Sequence, residues 1–399
     1  MNSLTLNPAK LLAIAFFQAL TFFAAFEKIF FSENGLSFFQ IGILTIVLSL
    51  FIIIFEVPSG ALSDRWVRKY VLLFSVLSSG LSLVFFTIGS SFIHFAIGMV
   101  FAGAAFVFNS GTNTSLLFDS LQEERDTDSF ERLLAFRRIL SGTGFAIASL
   151  VGGFVADRYG IEITIWITFI PLILALLLCL SLKEPFFHKT TGELNYFKHI
   201  KYTAKHLSGS KYFLNVILLS VIIMTTHILI EDYSQLYFFA LGFSFFVIGI
   251  LSFVEGIKEI IANYIGSLLP NKHGLPMLYG FLLMIMAGSL LITSWQLNLL
   301  GVIGLFVASA MFFIIDVPLL GNFHKQLDSK IRATSESFLN LVTELSKMIL
   351  AVVFFGIATV YSIGIAFGAL GILVACYSFY YWVFTYKIFR KQKELKSSF

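Results

Sequence analysis

Apolar and polar residues alternate along this chain in long blocks, not with the short periods of a soluble helix or strand. Apolar runs of about 20 residues, the length an α-helix needs to cross a bilayer, fall near residues 10–31, 38–62, 70–89, 92–118, 132–155 and 162–182. Six more follow near 212–240, 243–269, 276–293, 296–321, 334–358 and 362–386. Short polar turns separate them, and one long polar interval, Lys183 to Lys211, divides the chain near its middle. The pattern predicts an all-α membrane protein of twelve transmembrane helices. Its expected parts are an N-terminal six-helix bundle over 1–182, a linker over 183–211 and a C-terminal six-helix bundle over 212–399. Pro58, Pro171 and Pro318 inside the runs fit this reading, because neighbouring helices satisfy the backbone groups that proline frees.

Charge then orients the helices. With the loops assigned alternately to two sides, all but four of the 27 Lys and Arg residues fall on one side. The exceptions are Arg158 on the other side and Lys28, Lys258 and Lys347 inside the runs. Basic residues gather in cytoplasmic loops, so both termini and the linker are expected in the cytoplasm and the chain in the plasma membrane. The linker, with His188, His199 and His206, is expected to act as a tether. The first run is long enough to span and has no small-residue cleavage site, so it is expected to be a retained helix.

Composition narrows the class. The chain is 58% hydrophobic and 13% charged over 399 residues, with a mean hydropathy of +0.89; a soluble domain carries about 25% charge. The 48 phenylalanines are in keeping with lipid-facing filling. Cys179 and Cys376 both sit in apolar runs and form no disulfide or metal framework. No nucleic-acid motif, nucleophile elbow, metal-ligand cluster or phosphate loop is present, so no nucleic-acid partner, metal, cofactor or enzymatic activity is expected.

Two internal repeats stand out. Gly35-Leu-Ser-Phe-Phe-Gln-Ile-Gly-Ile-Leu-Thr45 recurs as Gly242-Phe-Ser-Phe-Phe-Val-Ile-Gly-Ile-Leu-Ser252, with eight of eleven positions identical at an offset of 207 residues. Each copy opens the second helix of its half. Gly60-Ala-Leu-Ser-Asp-Arg65 resembles Gly153-Phe-Val-Ala-Asp-Arg158, 93 residues later. Three helices separate this second pair, which places its members on opposite sides of the membrane. Parallel halves containing nested inverted three-helix repeats are a known transporter pattern.

The stretch Gly60-Ala61-Leu62-Ser63-Asp64-Arg65-Trp66-Val67-Arg68-Lys69 resembles the signature between helices 2 and 3 of the major facilitator superfamily, with Val67 in place of its second glycine. The resemblance implies two pseudo-symmetric bundles, a central cavity lined by helices 1, 4, 7 and 10, and rocking alternating access. It also implies a gate built from Gly60, Leu62, Asp64, Arg65, Arg68, Lys69 and Asp119. In that gate Arg68 pairs with Asp119 at the end of helix 4, and Asp64 lies near the start of helix 11, with Thr334 or Ser335 as that helix's N-cap. The equivalent loop of the second half keeps Gly266 but has Pro270 where the acid would be.

A second resemblance is partial. Drug–proton antiporters of the family carry a glycine-rich motif in helix 5, and Gly144, Gly152 and Gly153 match it while Ala148 and Ser149 replace its Gly-Pro pair. Ordinary small-residue helix packing accounts for these glycines equally well. The arginine that such exporters carry in helix 4 is replaced by Met99.

Ionisable groups at membrane depth are candidates for function by default. They are Glu27 and Lys28 in helix 1; His227, Glu231 and Asp232 in helix 7; Glu255, Lys258 and Glu259 in helix 8; Asp316 in helix 10; and Glu344 and Lys347 in helix 11. His227 and Glu231, four apart, share a helix face, and histidine exchanges protons near neutral pH. The helix 8 triad and the Glu344–Lys347 pair read as internal salt bridges or as part of the site. By the repeat offset, Glu231 and Asp232 correspond to Ala24 and Ala25, about one turn from Glu27, so the three acids are expected at similar depth. Tyr233 and Tyr237 are expected to line the cavity.

The sequence therefore predicts a monomeric, proton-coupled transporter in the lipid bilayer that exports small amphipathic compounds, cationic or neutral. Its coupling or substrate residues are drawn from Glu27, His227, Glu231, Asp232, Glu255, Glu259 and Asp316. Proton-coupled uptake of a sugar, peptide or organic ion is the alternative the same architecture serves. A transport-inactive membrane scaffold would need neither the loop signature nor the helix 7 acids.

Overall fold

The computed structural model describes residues 6–186, 211–269, 275–295, 297–326 and 329–397; among these the regular structure is all helical, with no strand. The expected details of the linker from residue 187 to 210, and of Pro270, lie outside the described residues.

The first apolar run is not one helix. α1, Asn7–Ala19, starts with Pro8 in its first turn, where the missing N–H is no loss. It stops at Leu20, which leaves helical geometry at φ −74°, ψ 58°. A 3₁₀ turn, Ala24–Phe26, leads into α2, Glu27–Glu33. No glycine or proline causes this break; tertiary packing holds it. The Phe23 ring lies against Phe30 and Phe86, and the Phe22 carbonyl sits against Gly152 of α6. The remaining helices of the first half are α3 (Phe38–Arg65), α4 (Arg68–Ile88), α5 (Phe92–Glu123), α6 (Phe130–Tyr159) and α7 (Ile161–Ser181). In the second half they are α8 (Lys211–Ala240), α9 (Phe245–Leu268), α10 (Leu275–Trp295), α11 (Leu299–Gln326), α12 (Ser329–Val360) and α13 (Ile363–Ser397).

Eleven segments among the described residues are long and apolar enough to cross a membrane, α1 and α2 together forming the first. The twelfth expected span, α9, has the length but carries Glu255, Lys258 and Glu259 in its middle. α12 begins at Ser329, a turn or more before the start expected at Thr334 or Ser335. Ser335 is thus a buried helix-interior residue and not a cap.

The long repeat is a repeat of structure. Gly35 and Gly242 both adopt positive φ, +83° and +77°, a region that favours glycine. Gly35 N–H donates to the Ser32 carbonyl at 3.0 Å, and Gly242 N–H to the Phe239 carbonyl at 2.9 Å. Ser37 and Ser244 then cap α3 and α9, accepting from Gln40 N–H at 3.3 Å and Val247 N–H at 3.4 Å. Glycine for the turn and serine for the cap are the positions the two copies keep.

The chain divides into two compact units. Unit 1 comprises Met1–Leu194 with Phe243–Gly256, so it includes the first half of α9. Within it α5 packs on α4 and α3, while α1 packs on α6 and α7. Phe23, Phe30, Phe31, Phe86 and Phe95 form a continuous aromatic cluster. Glycines on α6 allow two close crossings. A Cβ on Gly144 would meet the Phe16 carbonyl and Ala19 of α1, and one on Gly153 would meet the Phe245 carbonyl at 2.7 Å and Gly249 Cα at 3.2 Å. Lipid is as apolar as leucine, so such close backbone packing, not water exclusion, drives helix association here.

Unit 2 comprises Asn195–Gly242 and Ile257–Phe399. In it α10 packs on α13 and α11, and α8 on α11 and α12. Tyr233 and Tyr237, expected to line a cavity, are instead fully buried. Tyr233 packs on Phe354 and Phe355, and Tyr237 on Phe367 with its hydroxyl donating to the Thr293 carbonyl. Their four-residue spacing places both on the face of α8 that meets α12 and α13.

Gly152→Val places two methyl groups against the immobile Phe22 carbonyl. It is expected to destabilise the protein by about 1–3 kcal/mol, as overpacking does. Gly256→Ala, where nothing lies within 4 Å of the added carbon, should leave the thermal unfolding midpoint in detergent nearly unchanged.

Candidate functional site

In unit 1 the polar cluster gathers around the start of α4. Val67, where the resembling signature has glycine, has φ −68° and ψ 110°; this extended backbone suits any residue, so valine fits. Arg68 forms a largely buried ion pair with Asp119 of α5. The backbone N–H groups of Arg68 and Lys69 donate to the two carboxylate oxygens of Glu184, at 2.8 and 2.9 Å. That carboxylate satisfies the orphan donors of α4 and sits at the positive end of its dipole. Lys69 Nζ donates to the Leu180 carbonyl at 2.6 Å.

Residues 181–186 lie as a strap across the adjoining helix ends. The Asn7 amide donates to the Lys183 carbonyl at 2.7 Å and accepts from Lys183 N–H at 3.2 Å. Lys10 Nζ donates to the Ser181 carbonyl, and Phe186 N–H to Glu123. Asn7 and Glu184 escaped the sequence reading because their partners lie 176 and 116 residues away and no local motif marks them. The side chains of Gly60, Leu62, Asp64 and Arg65 lie outside the described residues, as do most of those in the first two turns of α12, which Asp64 was expected to face.

The inverted copy of the motif has a visible role. Asp157, its acid, accepts a 2.7 Å hydrogen bond from Phe245 N–H and so caps α9. The offset of 93 residues was the signal for it, since Asp157 stands where Asp64 stands in the first copy. Arg137, inside the predicted run 132–155, lies two turns inside α6, half-buried, with Nη2 donating to Thr114 Oγ1 at 3.5 Å.

In unit 2 three helices bring their polar groups into one chain of contacts. Lys258 Nζ on α9 donates to Ser309 Oγ on α11 at 2.7 Å. Ser309 Oγ lies 3.1 Å from His227 Nδ1 on α8, and His227 Nε2 faces Glu231 at 3.5 Å. An ammonium only donates, so Ser309 Oγ accepts from Lys258 and its own hydrogen is available to Nδ1. In the tautomer that accepts this hydrogen, the imidazole proton sits on Nε2, toward the carboxylate. Phe312 stacks on the His227 ring at 4.2 Å and Phe313 meets it edge-on at 4.7 Å, fixing its plane. Lys258 also lies 5.4 Å from the Phe306 ring, a cation–π distance. Glu231 is exposed while His227 is buried, so the chain runs from the surface into the helix core.

Other expected residues take different positions. Glu27 is held by the neighbouring Lys28. Glu344 and Lys347 form a 2.7 Å ion pair within α12. Asp232 and Glu255 are half-buried, Glu259 is exposed, and Asp316 is half-buried two turns along α11 from Ser309. Ser309 itself was missed; among many serines, only the folded structure marks the one between Lys258 and His227.

Eleven candidate spans among the described residues, a duplicated turn and charges clustered between helices are features of a polytopic membrane protein. The family model of the Major Facilitator Superfamily matches residues 11–351, and the chain belongs to that family of transporters. Among curated relatives it is 23% identical over 347 residues to the Multidrug resistance protein MdtG of Escherichia fergusonii, covering 84% of this chain and 81% of that one. It is 24% identical over 332 residues to an uncharacterised transporter of Buchnera aphidicola, covering 75% and 76%. The fold is similar to that of the nucleoside transporter NupG, with a TM-score of 0.71 at 16% identity over 98% of this chain and 99% of that one. A bacterial homolog of the human lysosomal transporter Spinster gives 0.73 at 14% identity, covering 98% of both chains. A D-xylose-proton symporter gives 0.69 at 15%, covering 95% and 97%.

Glu184→Ala removes both acceptors at the start of α4 and is expected to lower stability by about 1–2 kcal/mol. The thermal midpoint of the detergent-solubilised protein measures this, and Glu184→Gln, which keeps one acceptor, should fall between the two.

Proposed function

We propose that this transporter is a proton-driven exporter of small amphipathic compounds, cationic or neutral, working as a monomer in the plasma membrane with both termini cytoplasmic. The observation that carries the reading is the Lys258–Ser309–His227–Glu231 chain. It joins an exposed carboxylate to a half-buried cation through two groups that both donate and accept, the arrangement proton transfer requires. Protonation of Glu231 from outside water removes the charge that His227 Nε2–H faces. The hydrogen bonds through Ser309 then rearrange, and the change reaches Lys258 on a different helix. Asp232, beside Glu231, adds a second acid at the same entrance.

Export is the favoured direction because the sequence resembles a multidrug resistance protein over most of both chains, and because the glycines on α6 partly match the antiporter motif. In the gating reading, the Arg68–Asp119 pair and the signature loop around Asp64 stabilise the outward-facing state, with Gly144, Gly152 and Gly153 permitting the helix approach that the rocking motion needs.

The test is proton flux in proteoliposomes loaded with a pH dye, under an imposed pH gradient, on addition of cationic amphiphiles, then sugars, then organic acids. Amphiphiles alone should trigger flux, and Glu231→Gln with Asp232→Asn should abolish it. Ser309→Ala should slow it by roughly tenfold or more, as loss of a proton-transfer partner does. Flux that survives the double substitution would remove these acids from coupling, and flux triggered by sugars or organic acids would assign uptake symport instead.

A further inference from the structure

α1 and α5 run antiparallel and touch, and their register is set at one end by Asn7 Nδ2 donating to Ser120 Oγ at 3.2 Å. Along α1, Leu11, Ile14 and Gln18 follow Asn7 on the same side of the helix. Stepping back along α5 from Ser120, Asn113 and Asn109 come on the same side. Both helices rise about 1.5 Å per residue. Asn113 therefore stands opposite Ile14 and Asn109 opposite Gln18, roughly 10 and 17 Å from the Asn7–Ser120 bond.

This register places three carboxamides on the facing sides of one helix pair, deep in the spans. Gln18 Oε1, Asn109 Oδ1 and both amide atoms of Asn113 are buried and have no hydrogen-bond partner. Asn113 is only 1% exposed. An unpaired amide in an apolar interior is destabilising, and water is scarce at this depth to relieve it. The site also lies beside the break in α1, which ends one residue after Gln18. Irregular backbone at membrane depth occurs where a span lines a cavity, and interrupted helices mark binding sites in transporters. Two independent features, unsatisfied amides and an interrupted helix, therefore fall at the same place.

The geometry points to a binding subsite for an uncharged hydrogen-bonding group in unit 1, formed by Gln18, Asn109 and Asn113. Three carbonyl oxygens and the Asn113 NH₂ call for a ligand portion with several O–H or N–H donors and at least one acceptor, as in a hydroxylated or amide-bearing molecule. No side chain of this triad bears a charge, so it selects for hydrogen bonding and not for cations. Asn and Gln are few in the spans, yet these three share one helix pair. The inference rests on the chain being a transporter, and on neither the coupling ion nor the direction of transport.

The experiment is equilibrium binding to the purified full chain in detergent. The radiolabelled probes are chloramphenicol and uridine, neutral compounds with O–H and N–H donors, and tetraphenylphosphonium, an amphipathic cation without hydrogen-bonding groups. Asn113→Leu and Gln18→Leu should each raise the Kd of at least one neutral probe about tenfold or more and leave tetraphenylphosphonium within about twofold. The thermal midpoint of unliganded Asn113→Leu should equal or exceed that of the unsubstituted chain, because nothing in the protein pairs with that amide. Failure of both neutral probes to bind saturably, equal losses for neutral and cationic probes, or a lowered midpoint would overturn the assignment. Failure of proton coupling would show separately, as absent flux with this binding intact.

Discussion

Within a bilayer, a polar group finds its partner in the protein or remains without one. Most features of this transporter follow from that constraint. The backbone satisfies it by being helical through the described spans, apart from the break between α1 and α2. Where helices begin, side chains supply the missing acceptors: Ser37 and Ser244 cap their own helices, and Asp157 and Glu184 cap helices from far away in sequence. The same constraint makes exceptions informative. Buried amides without partners at Gln18, Asn109 and Asn113 are at odds with it.

The two halves share one plan and depart from it where chemistry is concentrated. Matching glycine turns and serine caps open α3 and α9, yet α1 and α2 are broken apart over the region that corresponds to continuous α8. The first half places uncharged amides beside its break. The second half runs Lys258, Ser309, His227 and Glu231 across three unbroken helices. A repeated half constrains backbone more tightly than side chains, since helix length and turn geometry must persist for either half to span the membrane at all. Side-chain chemistry is freer to differ: a neutral polar cluster in one half and a charged chain of contacts in the other.

Sequence reading succeeded where the controlling interaction is local or periodic. Helix count and order follow from apolar run length, and the His227–Glu231 contact from a four-residue spacing on one helix. It went wrong at Tyr233 and Tyr237, because a tyrosine in a span packs in a helix core as readily as it lines a cavity, and helix periodicity does not name the neighbour. The start of α12 was sited by its Thr-Ser pair, but the helix extends a turn or more further back.

By itself, then, the sequence determined that this is a twelve-span membrane transporter made of two related halves, because hydrophobic length, basic-residue placement and internal repetition are one-dimensional properties. Only the tertiary structure decided which polar residues meet. Glu184 on the α4 terminus, Ser309 between Lys258 and His227, and Gln18 level with Asn109 each join positions separated by scores of residues. Such pairings depend on how helices cross and on their register, and neither is written in the period of any one helix.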